Sequence, residues 1–508
     1  MTQSTQYKHE HLLSEKGKSR SFTHFYRSFP LPDNFKAHPK PLELVGGVPN
    51  FQIFPVESLK VGLRSKPFPN GYDTDAQVNA ATANAAPSKD ALSFDVLVDA
   101  SEVNKVAEKD HHEEIDIKTG LQYSNTPGMD PLLKFTKDFT KEVIHPGYED
   151  WNTILTLGGA NGAYKAFEAV FNEGDVLLAQ EFTFTPVVQS AKDIGFDIVS
   201  VPMDFQPTTK GGKAELTYAD HLSKLLDNWA TEQPGKPKPK AFYVIPDGQN
   251  PLGFSESLEH KKKVLELAEK HDFLIIEDEP YAYLNFQPVT EEPNFQLTTK
   301  EFIEALGDSY ISLDTTGRVI RLESFSKVYA PGVRTGFIVG HKRVIELITE
   351  YTMVSTRNPS GLSQIVLNNT ISALGGLQGY LGWIINVRNE YLKRKNALVL
   401  ALQHSESVKK GWAYVNDAEC GMFVTFVVNT GDAESKHEYM MNEFRLATAQ
   451  TGVLTVSGGN LSISEEAKKE RANFVRISLA SAPDLKTLEE AAKRLSDAVV
   501  LLHKDDKQ

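Results

Sequence analysis

The sequence predicts an α/β fold: a large domain on a mainly parallel seven-stranded sheet covered by helices, with a smaller α+β domain attached. Three observations predict it. Seven apolar, β-rich runs recur at 153–157, 176–179, 197–201, 241–245, 273–277, 319–322 and 336–339. Stretches of helical character separate most of them, at 163–171, 222–229 and 259–270, and strands alternating with helices build parallel sheets. The runs also lack a polar/apolar alternation, as strands buried on both faces do.

The 508 residues, 40% of them hydrophobic, exceed what one compact core holds, so the chain divides. Residues 1–119 are expected to hold an N-terminal arm, a small-domain segment and an insertion. The first 40 or so are polar and slightly basic, with aromatics at Phe22, Phe25, Tyr26 and Phe29, and suit an arm packed on a partner subunit. Leu44-Val45-Gly46-Gly47-Val48-Pro49-Asn50 is a backbone turn that allows close approach. Residues 65–115 fall to Ala, Asn, Asp, Ser and Lys, the composition of a long loop. Residues 120–355 form the large domain, with a stiff Pro/Lys connection at 234–240 and a second insertion at 286–309. In 356–508, the C-terminal small domain, long helices give way to a β-rich run at 422–428 and a closing amphipathic helix at 486–502.

Composition removes several classes of function. A net charge of -13 gives no support to a nucleic-acid partner. A single cysteine, Cys420, rules out a disulfide framework and a Cys-cluster metal site and fits a reducing compartment. Its apolar neighbourhood reads as a buried, inert thiol. No apolar stretch approaches the roughly 20 residues of a membrane span. The N-terminus lacks a signal-peptide core, and Glu10 and Glu15 count against a transit peptide, so a cytoplasmic location is expected.

The chemistry gathers in loops after the buried strands, where open α/β sheets bind ligands. Ser324-Phe325-Ser326-Lys327-Val328-Tyr329-Ala330-Pro331-Gly332-Val333-Arg334-Thr335-Gly336 offers two hydroxyls, a lysine and an arginine. Together they suit a phosphorylated aldehyde: the amine condenses with the carbonyl, and the guanidinium and hydroxyls grip phosphate. The competing reading is a solvated surface loop. In Glu277-Asp278-Glu279-Pro280-Tyr281, Asp278 stands at a strand tip, where it can meet a protonated ring nitrogen, cap a following helix or bind a metal. Asp247-Gly248-Gln249-Asn250-Pro251-Leu252-Gly253 is a turn by composition, with Asn250 able to donate to a phenolate oxygen. Leu157-Gly158-Gly159-Ala160-Asn161-Gly162-Ala163 joins a strand to a helix whose first N–H groups suit phosphate, though no P-loop Lys-Ser or Lys-Thr follows.

The order and approximate spacing of the Asn-Pro-x-Gly, Glu-Asp-x-Pro-Tyr and Ser-x-Ser-Lys…Pro-Gly-x-Arg-x-Gly motifs resemble the fold-type I, class I and II aminotransferases. The resemblance runs from about Leu44 to Leu502. Gly46-Gly47-Val48-Pro49, Leu121-Gln122-Tyr123 and Val475-Arg476-Ile477-Ser478 are most similar to the kynurenine/2-aminoadipate and fungal aromatic amino acid branch.

The resemblance implies pyridoxal 5'-phosphate as cofactor, no metal, and a homodimer. It implies that Lys327 holds the cofactor in a Schiff base and shuttles the proton, and that Asp278 pairs with the pyridine nitrogen. Asn250 and Tyr281 would bond the phenolic oxygen, and Arg334, Ser324 and Ser326 the phosphate. Phe184 would stack on the ring, and Tyr123 would reach the neighbouring subunit's phosphate. Arg476 would clamp the substrate carboxylate, with Gly47 and Asn250 beside it. One departure stands out. The family often carries Ser or Asn, then Gln or Thr, where this chain has Gly159 and Ala160, so only their N–H groups are offered. The expected reaction is transamination of phenylalanine, tyrosine and tryptophan, with kynurenine and 2-aminoadipate as further donors and 2-oxoglutarate as acceptor. Lyase or decarboxylase chemistry on the same scaffold is the alternative. A transcription regulator with an aminotransferase-like domain would need a basic helix-turn-helix that the first 115 residues do not pattern. Arg357 is a candidate for the distal carboxylate of a dicarboxylic substrate.

Overall fold

A computed structural model describes residues 7–20, 35–36, 38–40, 47–64, 66–67, 92–96, 112–205, 216–431 and 437–505. The seven apolar runs all form strands of one sheet: β1 (Trp151–Thr156), β2 (Val176–Gln180), β3 (Asp197–Val201), β4 (Ala241–Val244), β5 (Leu274–Asp278), β6 (Val319–Ser324) and β7 (Gly336–His341). Their order is β1-β7-β6-β5-β4-β2-β3. The strands from β6 through β3 pair in parallel, and β7 runs antiparallel to both β6 and β1.

Alternating side chains leave the sheet on opposite faces, and both faces are buried here. Phe242, Val244 and Ile275 join one apolar core, while Ala241, Tyr243, Leu274 and Ile276 join another. Each fully buried Ile or Phe contributes about 1.5–3 kcal/mol, so the continuous apolar strands anchor the edge that carries the loops.

Helix α1 (Gly159–Val170) follows β1 and packs into the second of these cores through Ala166, Phe167 and Val170. Residues 7–20 lie on the same subunit. The Tyr7 hydroxyl donates to the Gly317 carbonyl at 2.8 Å, Glu10 pairs with Arg343 at 2.9 Å, and the Ser14 hydroxyl donates to the Glu168 carbonyl at 2.9 Å. This stretch of the expected arm is therefore tied to its own large sheet unit; the aromatics at 22–29 lie outside the described residues.

A four-stranded antiparallel sheet forms the second unit, with β8 (Ala413–Val415), β9 (Phe423–Val428), β10 (Val456–Ser457) and β11 (Phe474–Ser478) in the order β8-β9-β11-β10. Helix α2 (Gly361–Ala373) and the long helix α3 (Gly376–Gln403) lead into it. Leu381, Ile384 and Ile385 of α3 belong to the large sheet's core, whereas Leu398, Val399 and Leu402 belong to the second unit's core, so one rigid helix serves both. The expected closing helix spans Leu485–Asp505.

Both expected insertions hold regular structure. Leu92–Val96, inside the first insertion, is a strand paired antiparallel with Leu59–Leu63. Within 286–309, Thr299–Leu306 is a helix closed by a Thr298/Glu301 capping box. The chain before it is laid along α3: the Asn389 amide donates to the Phe295 carbonyl at 2.7 Å and the Lys395 amine to the Gln287 carbonyl at 2.8 Å. Among the described residues, no helix is long and apolar enough to cross a membrane.

Candidate active site

The loops that follow β1, β4, β5 and β6 surround one cavity of about 210 Å³. Gly159, Ala160 and Phe184 line it from the glycine-rich turn and the loop after β2. Asn250 lines it from the loop after β4, Asp278 and Tyr281 from the end of β5 and the loop beyond, and Ser324, Ser326, Lys327 and Arg334 from the end of β6 and its loop. Ile245, Pro280 and Pro331 complete the wall.

Asp278 is the last residue of β5 and only 9% exposed. Burial raises its carboxyl to about 6, against the lowering effect of the Tyr243 hydroxyl and the Lys327 charge. Tyr243, on the same face of neighbouring β4, donates its hydroxyl to Oδ2. Oδ1 faces the glycine turn: a Cβ built on Gly159 would come within 4.0 Å of it. No described helix begins at Asp278, so the capping alternative falls away.

Lys327 is half-buried, with its amine 6.0 Å from the Tyr281 ring centre. Burial lowers its pKa, and the charges of Arg334 and Arg476 add to this against the opposing pull of Asp278. A lowered pKa makes the neutral, nucleophilic amine more accessible. Tyr281 is buried, and its hydroxyl pKa is raised by that burial and by Asp278, while Arg476 and an Asn250 hydrogen bond act in the other direction.

Arg334 reaches back to the glycine turn. Its Nη2 donates to the Leu157 carbonyl at 2.9 Å, and its Nη1 to the Pro331 carbonyl at 3.0 Å and the Ser326 hydroxyl at 3.4 Å. Its own backbone is left-handed, with φ 46°. Gly158, at φ 92°, makes this approach possible, since a Cβ there would lie 2.5 Å from Nη2. No side chain caps the start of α1, so its first N–H groups face the same space as the guanidinium and the two serine hydroxyls. That donor set fits a phosphate group.

The second unit contributes Arg476, from β11. Its Nη1 donates to the Asn250 carboxamide oxygen at 2.7 Å, its guanidinium lies 4.1 Å from the Phe423 ring centre, and its buried Nε has no hydrogen-bond partner. The guanidinium fork is thus braced at one end, and the remaining edge suits a carboxylate. The Thr425 hydroxyl donates to the Pro251 carbonyl at 3.0 Å, which fastens the second sheet to the turn that carries Asn250.

Not every nominated residue comes to this cavity. Tyr123 is 72% exposed and Gly47 is exposed, and neither lines it in the single chain. The Gln122 amide donates to the Pro49 carbonyl at 2.7 Å, so their two segments adjoin. Arg357 is exposed in a left-handed turn after Lys342–Val354 and does not line the cavity. Cys420 is buried behind Tyr281, its thiol donating to the Tyr281 carbonyl at 3.0 Å, and burial raises its pKa well above the usual value. Tyr243 went unnoticed in the sequence, because only the β4–β5 register puts it on the face of Asp278.

A buried carboxylate at a strand tip, a lysine of lowered pKa and a phosphate-shaped donor set define a pyridoxal-phosphate enzyme of fold-type I. Residues 94–495 match the family of class I and II aminotransferases, and the chain belongs to that family. It is 31% identical to aromatic amino acid aminotransferase 2 of Saccharomyces cerevisiae, over 96% of this chain and 94% of that one. The L-tyrosine:2-oxoglutarate aminotransferase of Serpula lacrymans is 28% identical over 70% of this chain and 69% of its own. The crystal structure of the aromatic aminotransferase Aro9 from Candida albicans superposes with a TM-score of 0.86 and 37% identity, covering 98% of both chains. The protein is therefore a pyridoxal-phosphate-dependent aminotransferase.

Proposed function

We propose that this enzyme moves amino groups from phenylalanine, tyrosine and tryptophan to 2-oxoglutarate, with kynurenine and 2-aminoadipate as further donors. The observation that carries this reading is that Lys327 and Asp278 line one cavity while Arg476 of the second sheet hydrogen-bonds Asn250 on its wall. The names of the Saccharomyces, Serpula and Candida relatives support the aromatic donor, and the Serpula name supports the acceptor.

Bound pyridoxal phosphate supplies an aldehyde carbon that links to amino groups and a ring that takes up the electron pair left by the α-proton. The chain's own residues do the rest. Arg476 holds the substrate α-carboxylate, so the α-carbon is turned towards the Lys327 amine. Lys327 Nζ removes the α-proton and returns a proton on the other side of the reaction. Asp278, kept in place by Tyr243, would pair with the ring nitrogen and keep it protonated. Asn250 and Tyr281 would hold the phenolic oxygen, and Phe184, 37% exposed at the cavity, would pack on the ring. Arg334, Ser324, Ser326 and the start of α1 anchor the phosphate. Gly159 and Ala160 contribute N–H groups alone.

We further propose a cytoplasmic homodimer in which Tyr123, prominent on the surface, completes the partner's phosphate site, and in which Gly47 joins Arg476 and Asn250 beside the substrate. Residues 120–355 then act as the cofactor-binding unit and 356–508 as the smaller one, coupled by α3. Adding each donor separately to purified enzyme, without keto acid, tests the substrate assignment. Phenylalanine or tyrosine should bleach the yellow cofactor band, and 2-oxoglutarate should restore it. Bleaching by aspartate but by no aromatic donor would overturn it.

A further inference from the structure

A second cavity, of about 500 Å³, adjoins the first and shares Ser326, Lys327 and Pro331 with it. One wall is the face of α3 that carries Trp383, Val387 and Tyr391; Met422 and Ala480 of the second unit close it. Trp383 is fixed there, its indole N–H donating to the Val328 carbonyl at 2.9 Å. Two arginines reach this cavity. Arg394 is committed: Nη1 donates to the carbonyls of Leu479 and Ala482 at 3.1 and 2.7 Å, and Nε lies 3.5 Å from Glu390. Arg64, just past the strand Leu59–Leu63, is exposed and has no carboxylate partner among the described residues.

We propose that this cavity receives the substrate side chain: an aromatic ring lies against Trp383, Val387 and Tyr391, and Arg64 meets the distal carboxylate of a dicarboxylic substrate. The inference rests on the aminotransferase reading and adds the residues that choose the substrate. A substrate gripped at Arg476 and reacting at Lys327 must send its side chain into space continuous with Lys327. The smaller cavity is walled by the donors assigned to the cofactor, and the larger one opens from the same lysine. Its aromatic and aliphatic wall rewards burial of a ring. A distal carboxylate is costly to bury there and is drawn to the cation at the rim. Arg357, nominated from the sequence, lines neither cavity, whereas Arg64 lines this one.

Two unreactive probes test this on the holoenzyme by calorimetry: 3-phenylpropanoate for the ring and glutarate for the distal carboxylate. Val387→Trp fills the apolar wall, and should weaken 3-phenylpropanoate by at least about tenfold while leaving glutarate near its wild-type affinity. Arg64→Gln should do the reverse, weakening glutarate by about tenfold. Half-reactions with phenylalanine and glutamate should split the same way. Unchanged binding of 3-phenylpropanoate to Val387→Trp, or equal loss of both probes in Arg64→Gln, overturns the assignment. Should Val387→Trp fail to fold, the Arg64 arm still decides, because that side chain is exposed. Probe binding that splits as described, in an enzyme that turns over no aromatic donor, would uphold the cavity and sink the substrate assignment instead.

Discussion

Strand β5 and the residue after it carry acids to both faces of the large sheet, and the two faces treat them differently. Glu277 and Glu279 point to one side, where Arg321 of neighbouring β6 lies 3.3 and 3.9 Å from them and also pairs with Glu323 at 2.7 Å. Glu277 also accepts the backbone N–H of Tyr310 at 2.7 Å. Asp278 points to the other side, where no arginine of the sheet meets it and its hydrogen-bond donor is the neutral Tyr243 hydroxyl. The difference teaches what each acid is for. A buried charge needs a partner. On the first face the fold supplies a resident cation, and the cluster is structural. On the second the sheet supplies none and Lys327 of the following loop acts only through its charge, so under the proposed function Asp278 is left for a protonated ring.

Breaking each side should therefore give different failures. The largest effect is expected for Asp278→Asn, which should lower kcat by about 10²- to 10³-fold, measured at saturating cofactor. The same variant sharpens the comparison through pH. Asp278 is raised from an ordinary 3.8 to about 6, so the folded apoprotein binds that proton more tightly than the unfolded chain. The penalty is absent below the ordinary value, grows as pH rises towards about 6, and then stays, worth roughly 3 kcal/mol. Denaturant melts of the apoprotein should show that slope in the wild type and a flatter one in Asp278→Asn. Cofactor binding should also erase it.

Arg321→Met should do the opposite, costing about 3–5 kcal/mol in unfolding melts because it strands buried carboxylates. The smallest effect is expected at Glu279. Neither of its carboxylate oxygens has a hydrogen bond, and burial, with Asp247 next, holds its pKa well above the usual range. Glu279→Gln should change stability by less than about 1 kcal/mol at low pH and become relatively more favourable as pH rises through the ordinary carboxylate range. Loss of activity in Glu279→Gln comparable to that in Asp278→Asn would break the distinction between the two faces.

The same contrast explains what could be read from the sequence. The large sheet was legible because its strands are continuous apolar runs, most of them separated by helices, and Lys327, Asp278, Asn250 and Arg334 stand at their ends or in the loops that follow. The second sheet was less so: β8 has three residues and β10 two, too short for a pattern, and their pairing with β9 and β11 is nonlocal. Leu59-Lys60-Val61-Gly62-Leu63 does alternate, but its partner Leu92–Val96 lies in a stretch of loop-like composition. Tyr243 and Trp383 were invisible as site residues, since strand register and the placement of α3 against the Lys327 loop bring them to their cavities. Tyr123 was nominated by resemblance alone and Gly47 by its turn and the resemblance together, and a single chain leaves both at the surface.

The central claim is that Lys327 carries the cofactor. Borohydride reduction of the yellow enzyme, followed by proteolysis and mass measurement of the peptides, tests it most directly. The account predicts the added phosphopyridoxyl mass on the peptide containing Lys327, loss of that label after prior treatment with phenylalanine, and none in Lys327→Ala. Stable label on another lysine, or a Lys327→Ala variant that keeps both the label and normal turnover, would contradict it.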